Sequence, residues 1–157
     1  MKRRATFMMG PIVDLDGCSN VVHSDIARPV EYPTIKLGRY VLLFVDGYSR
    51  YCTVCLLQKR SEMFQRFLDY KAAVKTKHNR SIRHFISDNG DEYLDGEFTT
   101  YCREQGIQRD TTIAYTSKQN GMAEVRFRDL FNKIRTILIS SGSPKQLWGE
   151  DVIATGY

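Results

Sequence analysis

The order in which apolar periods follow one another constrains this chain more than any single motif. Residues 37–45 and 50–57 are rich in β-branched and aromatic side chains and flank the turn cluster Asp46, Gly47, Tyr48 and Ser49, which is the pattern of a β-hairpin. A helical period follows at once. Ser61 is a suitable N-cap, Glu62 stands in the first turn, and Phe64, Phe67, Leu68 and Val74 recur at helical spacing to about His78. Upstream, residues 21–26 form a short apolar run carrying His23 and Asp25 and stopped by Pro29. Residues two apart on a strand share a face, so His23 and Asp25 are expected on one side of a central strand.

Downstream, residues 82–87 are a second short apolar run that delivers Asp88 into a glycine-containing turn. Phe98, Tyr101 and Cys102 mark a short helix closed by Gly106, and residues 107–112 read as a further strand. Residues 114–120 are mostly small and polar, as in a loop. Asn120 can then cap a long helix whose Phe127, Leu130, Phe131, Ile134, Ile137 and Leu138 make an apolar stripe, with Glu124 above it at the start. Gly142 and Pro144 end that helix, and another begins near Lys145 to Trp148. Three strands, a helix, a strand, a helix, a strand and a helix predict an α/β fold: a mixed five-stranded sheet flanked by helices.

A chain of 157 residues with 42% hydrophobic content supports one core rather than two. Residues 1–18, with Gly10, Pro11, Asp14, Asp16 and Gly17, are expected as a loosely ordered arm, and residues 19–157 as the folded core. No apolar run nears the roughly 18 residues a bilayer crossing needs, so no membrane association is expected. The basic start at Lys2, Arg3 and Arg4 is not followed by an unbroken apolar stretch, so it is not read as a secretory signal. Without one, the four cysteines are expected as thiols. Cys52 and Cys55 form a C-x-x-C, but residues three apart on a strand face opposite ways and cannot share a zinc ion. A net charge of +5 suggests an anionic partner without naming it.

Asp25 and Asp88 both stand at the ends of apolar runs, where α/β sheets expose functional groups. Each alone is explained by turn capping, and Glu124 alone by the helix dipole. Together the three would repel unless a cation balanced them, and an all-oxygen cluster selects Mg²⁺ or Mn²⁺. Such a site can hold two ions about 4 Å apart, one for the attacking and one for the leaving oxygen of a phosphodiester.

The runs Val22-His23-Ser24-Asp25-Ile26, Val45-Asp46-Gly47-Tyr48-Ser49-Arg50, Ser87-Asp88-Asn89-Gly90-Asp91-Glu92-Tyr93 and Gln119-Asn120-Gly121-Met122-Ala123-Glu124 resemble the catalytic core of copia-type retrotransposon integrases. The 35 residues between Asp88 and Glu124 match that family's spacing, and Trp148 fits its following helix. The resemblance implies an RNase H-like fold and a DDE-type polynucleotidyl transferase with Asp25, Asp88 and Glu124 as catalytic metal ligands. It further implies 3′-end processing and strand transfer with Mg²⁺ or Mn²⁺ on double-stranded DNA, a homo-oligomer when active, and a nuclear location. The loop at residues 115–121, including Asn120, would lie against the DNA ends, with Lys118, Arg126 and Arg128 as phosphate contacts.

Several positions depart from the family's usual residues: Arg28 for glycine, Gly47 for aspartate, Asp91 for glycine, Ser117 for proline, Val125 for arginine and Phe127 for asparagine. The zinc-binding region that normally precedes such a core is expected to be missing, and the core is expected to be cut short at its C-terminus. Two other readings stay open: a catalytically decayed DNA-binding remnant, and an RNase H-type nuclease using Asp46 and Glu92 as further acids.

Overall fold

The computed structural model describes residues 5–7, 21–27, 38–49, 51–88 and 90–111, with ten further positions between 125 and 144. Its strands are β1 (Ala5–Phe7), β2 (Val21–Ala27), β3 (Tyr40–Asp46), β4 (Cys52–Leu57), β5 (His84–Ser87) and β6 (Gln108–Thr111). They form one sheet in the order β1-β4-β3-β2-β5-β6. The first four pair antiparallel, whereas β2 with β5 and β5 with β6 are parallel, so the sheet is mixed as expected. The five strands from β2 to β6 are those anticipated; β1 adds three residues to the outer edge, from within the segment expected as an arm.

The hairpin forms because its turn closes itself. Asp46 Oδ1 accepts the backbone N–H groups of Tyr48 and Ser49, both at 2.8 Å, and Asp46 N donates to Tyr51 O at 2.9 Å. Gly47 N donates to Val21 O at 2.8 Å, which anchors the turn on the start of β2. A Cβ on residue 47 would come within 3.2 Å of that carbonyl and 3.5 Å of His23 Nε2, so the close approach suits glycine.

The helix expected from Ser61 is α1 (Met63–His78), but the chain enters it through a 3₁₀ turn at Arg60–Glu62. Ser61 therefore lies inside that turn instead of capping a helix. Glu62 supplies the local bond in its place, its Oε1 accepting Lys59 N at 3.2 Å. Asn79, at φ 49°, ends α1 with its N–H donating to Lys75 O at 2.9 Å. Beyond β5 come a single helical turn, α2 (Asp91–Leu94), and α3 (Gly96–Glu104), the latter capped by Asp95 and closed through Gly106 at φ 66°.

The core lies between one face of the sheet and these helices. Val22 and Ile26 from β2, Leu42 and Phe44 from β3 and Phe85 from β5 meet Met63, Phe67 and Tyr70 from α1 and Phe98 and Cys102 from α3. Aromatic rings dominate it. Phe67 sits edge-on to Phe85 at 5.0 Å and to Phe98 at 5.3 Å, while Phe44 stacks on Tyr70 at 4.7 Å. β3 is also buried on its other face through Val41, Leu43 and Val45, which explains its unbroken apolar run. Burial pushes the Cys102 thiol up to about 11, and it stays protonated and unreactive at neutral pH.

Because Phe67 is fully buried and touches rings from both β5 and α3, Phe67→Ala should destabilise the fold by about 3–5 kcal/mol. Urea denaturation followed by circular dichroism checks this.

Candidate active site

β2 and β5 run parallel with Val21 beside His84, Val22 beside Phe85 and His23 beside Ile86, a constant offset of 63 positions. The same offset carries Asp25 to Asp88. Asp25 is third from the end of β2 and Asp88 is the first residue past β5, so the two acids leave adjacent strands at one level. Neighbouring strands lie about 4.8 Å apart, so the backbones that carry the two acids run close together. Strand alternation sends Val22, Ser24 and Ile26 to the core face and His23 and Asp25 to the opposite one. His23 is buried, Asp25 half-buried and Asp88 exposed.

Each acid is fixed by a backbone donor. Asp25 Oδ1 accepts Ile26 N at 2.8 Å, and Asp88 Oδ1 accepts Gly90 N at 3.0 Å in an Asx turn. Gly90 O in turn accepts Tyr93 N at 2.9 Å, which starts α2 directly on the Asp88 turn. A Cβ on residue 90 would lie 2.6 Å from Glu92 Oε1, so a side chain there would require the Glu92 carboxylate to shift. The Glu92 side chain is only 3% exposed and its carboxylate meets Arg60 Nη1 at 3.4 Å. Arg60 also lies over the Tyr40 ring at 5.6 Å, so the entry to α1 is tied both to β3 and to the turn after Asp88.

Under the pair of aspartates sits Tyr93. Its hydroxyl is 2.8 Å from Ser24 Oγ, and both side chains are fully buried. Burial pushes the phenol well above its usual range; the Ser24 hydrogen bond pulls it down, and the negative charges of Asp25, Asp88 and Glu92 add to the rise. Tyr93 is thus a neutral hydroxyl close to three acids.

Of the residues singled out from sequence, Asp25 and Asp88 are brought together, and Arg128 is helical and exposed. Glu124, Lys118, Asn120 and Arg126 lie outside the described residues. Among the described residues no group of three metal-ligating side chains occurs, so Asp25 and Asp88 stand as a pair there. The two further acids weighed for a nuclease are engaged elsewhere: Asp46 holds the hairpin turn and Glu92 faces Arg60. Asp91 is exposed at the first position of α2, and Val125 is 47% exposed. Cys52 and Cys55 lie on opposite faces of β4, Cys55 against the core cluster. Sequence reasoning gave no role of their own to Ser24, Arg60 and Tyr93. Ser24 and Tyr93 lie within the runs that carry the family resemblance, and Arg60 carried no sign.

A family model described as the integrase core domain matches residues 19–117. The chain belongs to the integrase core domain family. Among curated proteins, the integrase core is 34% identical over 138 residues to the retrovirus-related Pol polyprotein of transposon TNT 1-94 from Nicotiana tabacum, covering 88% of this chain and 10% of that protein. It is 29% identical over 132 residues to the Pol polyprotein of transposon RE2 from Arabidopsis thaliana, covering 78% of this chain and 9% of the relative. The chain therefore spans about a tenth of the length of these relatives, and it is an LTR retrotransposon integrase core. Among solved structures, the trimeric HTLV-2 integrase catalytic core domain in complex with magnesium superposes with a TM-score of 0.62 at 19% identity, over 88% of this chain and 82% of that one. The simian T-cell lymphotropic virus intasome in complex with PP2A regulatory subunit B56 gamma gives 0.67 at 17% identity, over 88% and 46%. The fold is accordingly that of retroviral integrase cores, RNase H-like.

Arg60→Ala leaves the nearly buried Glu92 carboxylate of this integrase core without its counter-charge and should cost about 1–2 kcal/mol. Arg60→Ala combined with Glu92→Gln should regain more than half of that loss in chemical denaturation, because no unpaired charge remains.

Proposed function

We propose that this integrase core is the catalytic domain of a copia-type element, processing DNA 3′ ends and joining them to target DNA with Asp25, Asp88 and Glu124 as its acidic triad. The observation that carries the proposal is the level placement of Asp25 and Asp88 on neighbouring parallel strands within a member of this family. The donor set fits Mg²⁺ or Mn²⁺: hard carboxylate oxygens on adjacent strands, with no thiolate or imidazole needed. Glu124, expected from the sequence at the start of a following helix, would complete the set and allow two ions. Magnesium accompanies the HTLV-2 core, which supports the same choice here.

A divalent cation held there supplies charge neutralisation at the phosphodiester and activation of the oxygens on either side of the phosphorus. The chain's own part is placement. The Asx turn fixes Asp88, the β2 backbone fixes Asp25, and the neutral Tyr93 adds no further negative charge beneath them. Both reactions exchange one P–O bond for another: water attacks first at the element's end, then the freed 3′-hydroxyl attacks the target strand. Neither step requires an external energy source.

The DNA partner would be gripped by Lys118, Asn120, Arg126 and Arg128; Arg128 is exposed on the helix, as a phosphate contact requires. Function as a homo-oligomer on nuclear DNA follows from the same reading, supported by the dimeric and trimeric forms of the HTLV-2 core. A folded core at residues 19–157 preceded by a segment at 1–18 is the proposed organisation, with Ala5–Phe7 of that segment laid on the sheet edge.

The purified chain incubated with Mg²⁺ or Mn²⁺ and labelled element-end DNA should cut and join it. Asp88→Asn and Glu124→Gln should each lower that activity by at least about 100-fold while leaving DNA binding in place. A wild-type chain that binds DNA but neither cuts nor joins it overturns the enzyme reading in favour of a DNA-binding remnant.

A further inference from the structure

The backbone ladder between β2 and β5 runs only from Val21 beside His84 to His23 beside Ile86. It stops two residues short of Asp25 and Asp88, so the pairing of β2 with β5 does not extend to the acids, although Asp25 itself is paired with Leu43 of β3. A direct link between the two strand ends would help to hold the separation of the acids, because two carboxylates repel each other whenever no cation lies between them.

The hydrogen bond between Ser24 and Tyr93 lies at that gap. Ser24 directly precedes Asp25 and projects to the core face, so it approaches the pair from beneath the sheet. Tyr93 belongs to α2, whose start is bonded to the Asp88 turn. The links are continuous: Asp88 Oδ1 accepts Gly90 N, Gly90 O accepts Tyr93 N, and Tyr93 Oη meets Ser24 Oγ beside Asp25.

The pair is not needed for burial. Phenylalanine at 93 would fill the same space near Phe85, whose ring is 5.8 Å away, and alanine at 24 would fit a strand. Replacing both hydroxyls with apolar groups of similar shape is close to neutral, whereas removing one strands the other in a dry core. What the hydroxyl pair adds is direction, since a hydrogen bond fixes a distance that apolar packing leaves loose. We propose that Ser24 and Tyr93 are positioning residues, whose buried hydrogen bond sets the spacing of Asp25 and Asp88 for divalent-metal binding. This inference rests on the metal-site reading above.

The test uses the full 157-residue chain as wild type, Tyr93→Phe, Ser24→Ala and the double variant, with Asp88→Asn as a control. Mn²⁺ binding is followed by electron paramagnetic resonance of the unbound ion, and thermal stability by circular dichroism. Each single variant is expected to bind Mn²⁺ about 10-fold more weakly and to melt at a lower temperature. The double variant is expected to recover the melting temperature but not the Mn²⁺ affinity. That split separates positioning from packing, which would restore both together. Wild-type binding matched by Tyr93→Phe, or affinity that returns with stability in the double variant, overturns the inference and leaves the metal site standing. A wild-type chain that binds Mn²⁺ no better than Asp88→Asn overturns the metal-site reading and this inference with it.

Discussion

Two aspartates 63 positions apart in the chain stand side by side because β2 and β5 are parallel neighbours in fixed register. Parallel strands cannot be joined by a tight turn, so the chain has to cross over, and α1 is the crossover. The antiparallel partner of β2 on its other side, β3, contributes no acid to this level. It contributes Leu43 opposite Asp25, a buried apolar residue. One flank of the site is therefore carboxylate and the other hydrocarbon.

The aromatic core and the acidic pair depend on each other through the same few elements. Phe85 from β5 packs among Phe44, Phe67, Phe98 and Tyr93, and three residues later the same strand releases Asp88. α2 joins the two regions most closely, with Glu92 turned to Arg60 and Tyr93 turned to Ser24. Four residues of helix would be negligible alone. Here they connect the end of β5 with both β2 and the entry of α1.

The sequence made legible whatever depends on local period. The hairpin expected at residues 37–45 and 50–57 is found at Tyr40–Asp46 and Cys52–Leu57, and the helix ending near His78 ends there. Asp25 and Asp88 were visible because each interrupts or ends an apolar run. Contacts that join distant segments were not visible. The Ser24–Tyr93 bond spans 69 positions and the Arg60–Glu92 contact 32, and neither leaves a periodic trace. Short elements escaped for a related reason: β1 with three residues and α2 with four complete too little of a period to be recognised. Ser61 misled because a good capping residue does not reveal that a 3₁₀ turn will precede the helix.

The three residues of β1 have a consequence beyond extending the sheet. β4 would otherwise turn a row of backbone donors and acceptors outward, next to a strand of mostly β-branched, leucine and cysteine side chains. An open edge of that kind recruits strands from other molecules. Ala5, Thr6 and Phe7, laid against Val54, Thr53 and Cys52, occupy that edge from within the same chain. A short stretch thus covers an edge that would otherwise be open to pairing with other molecules.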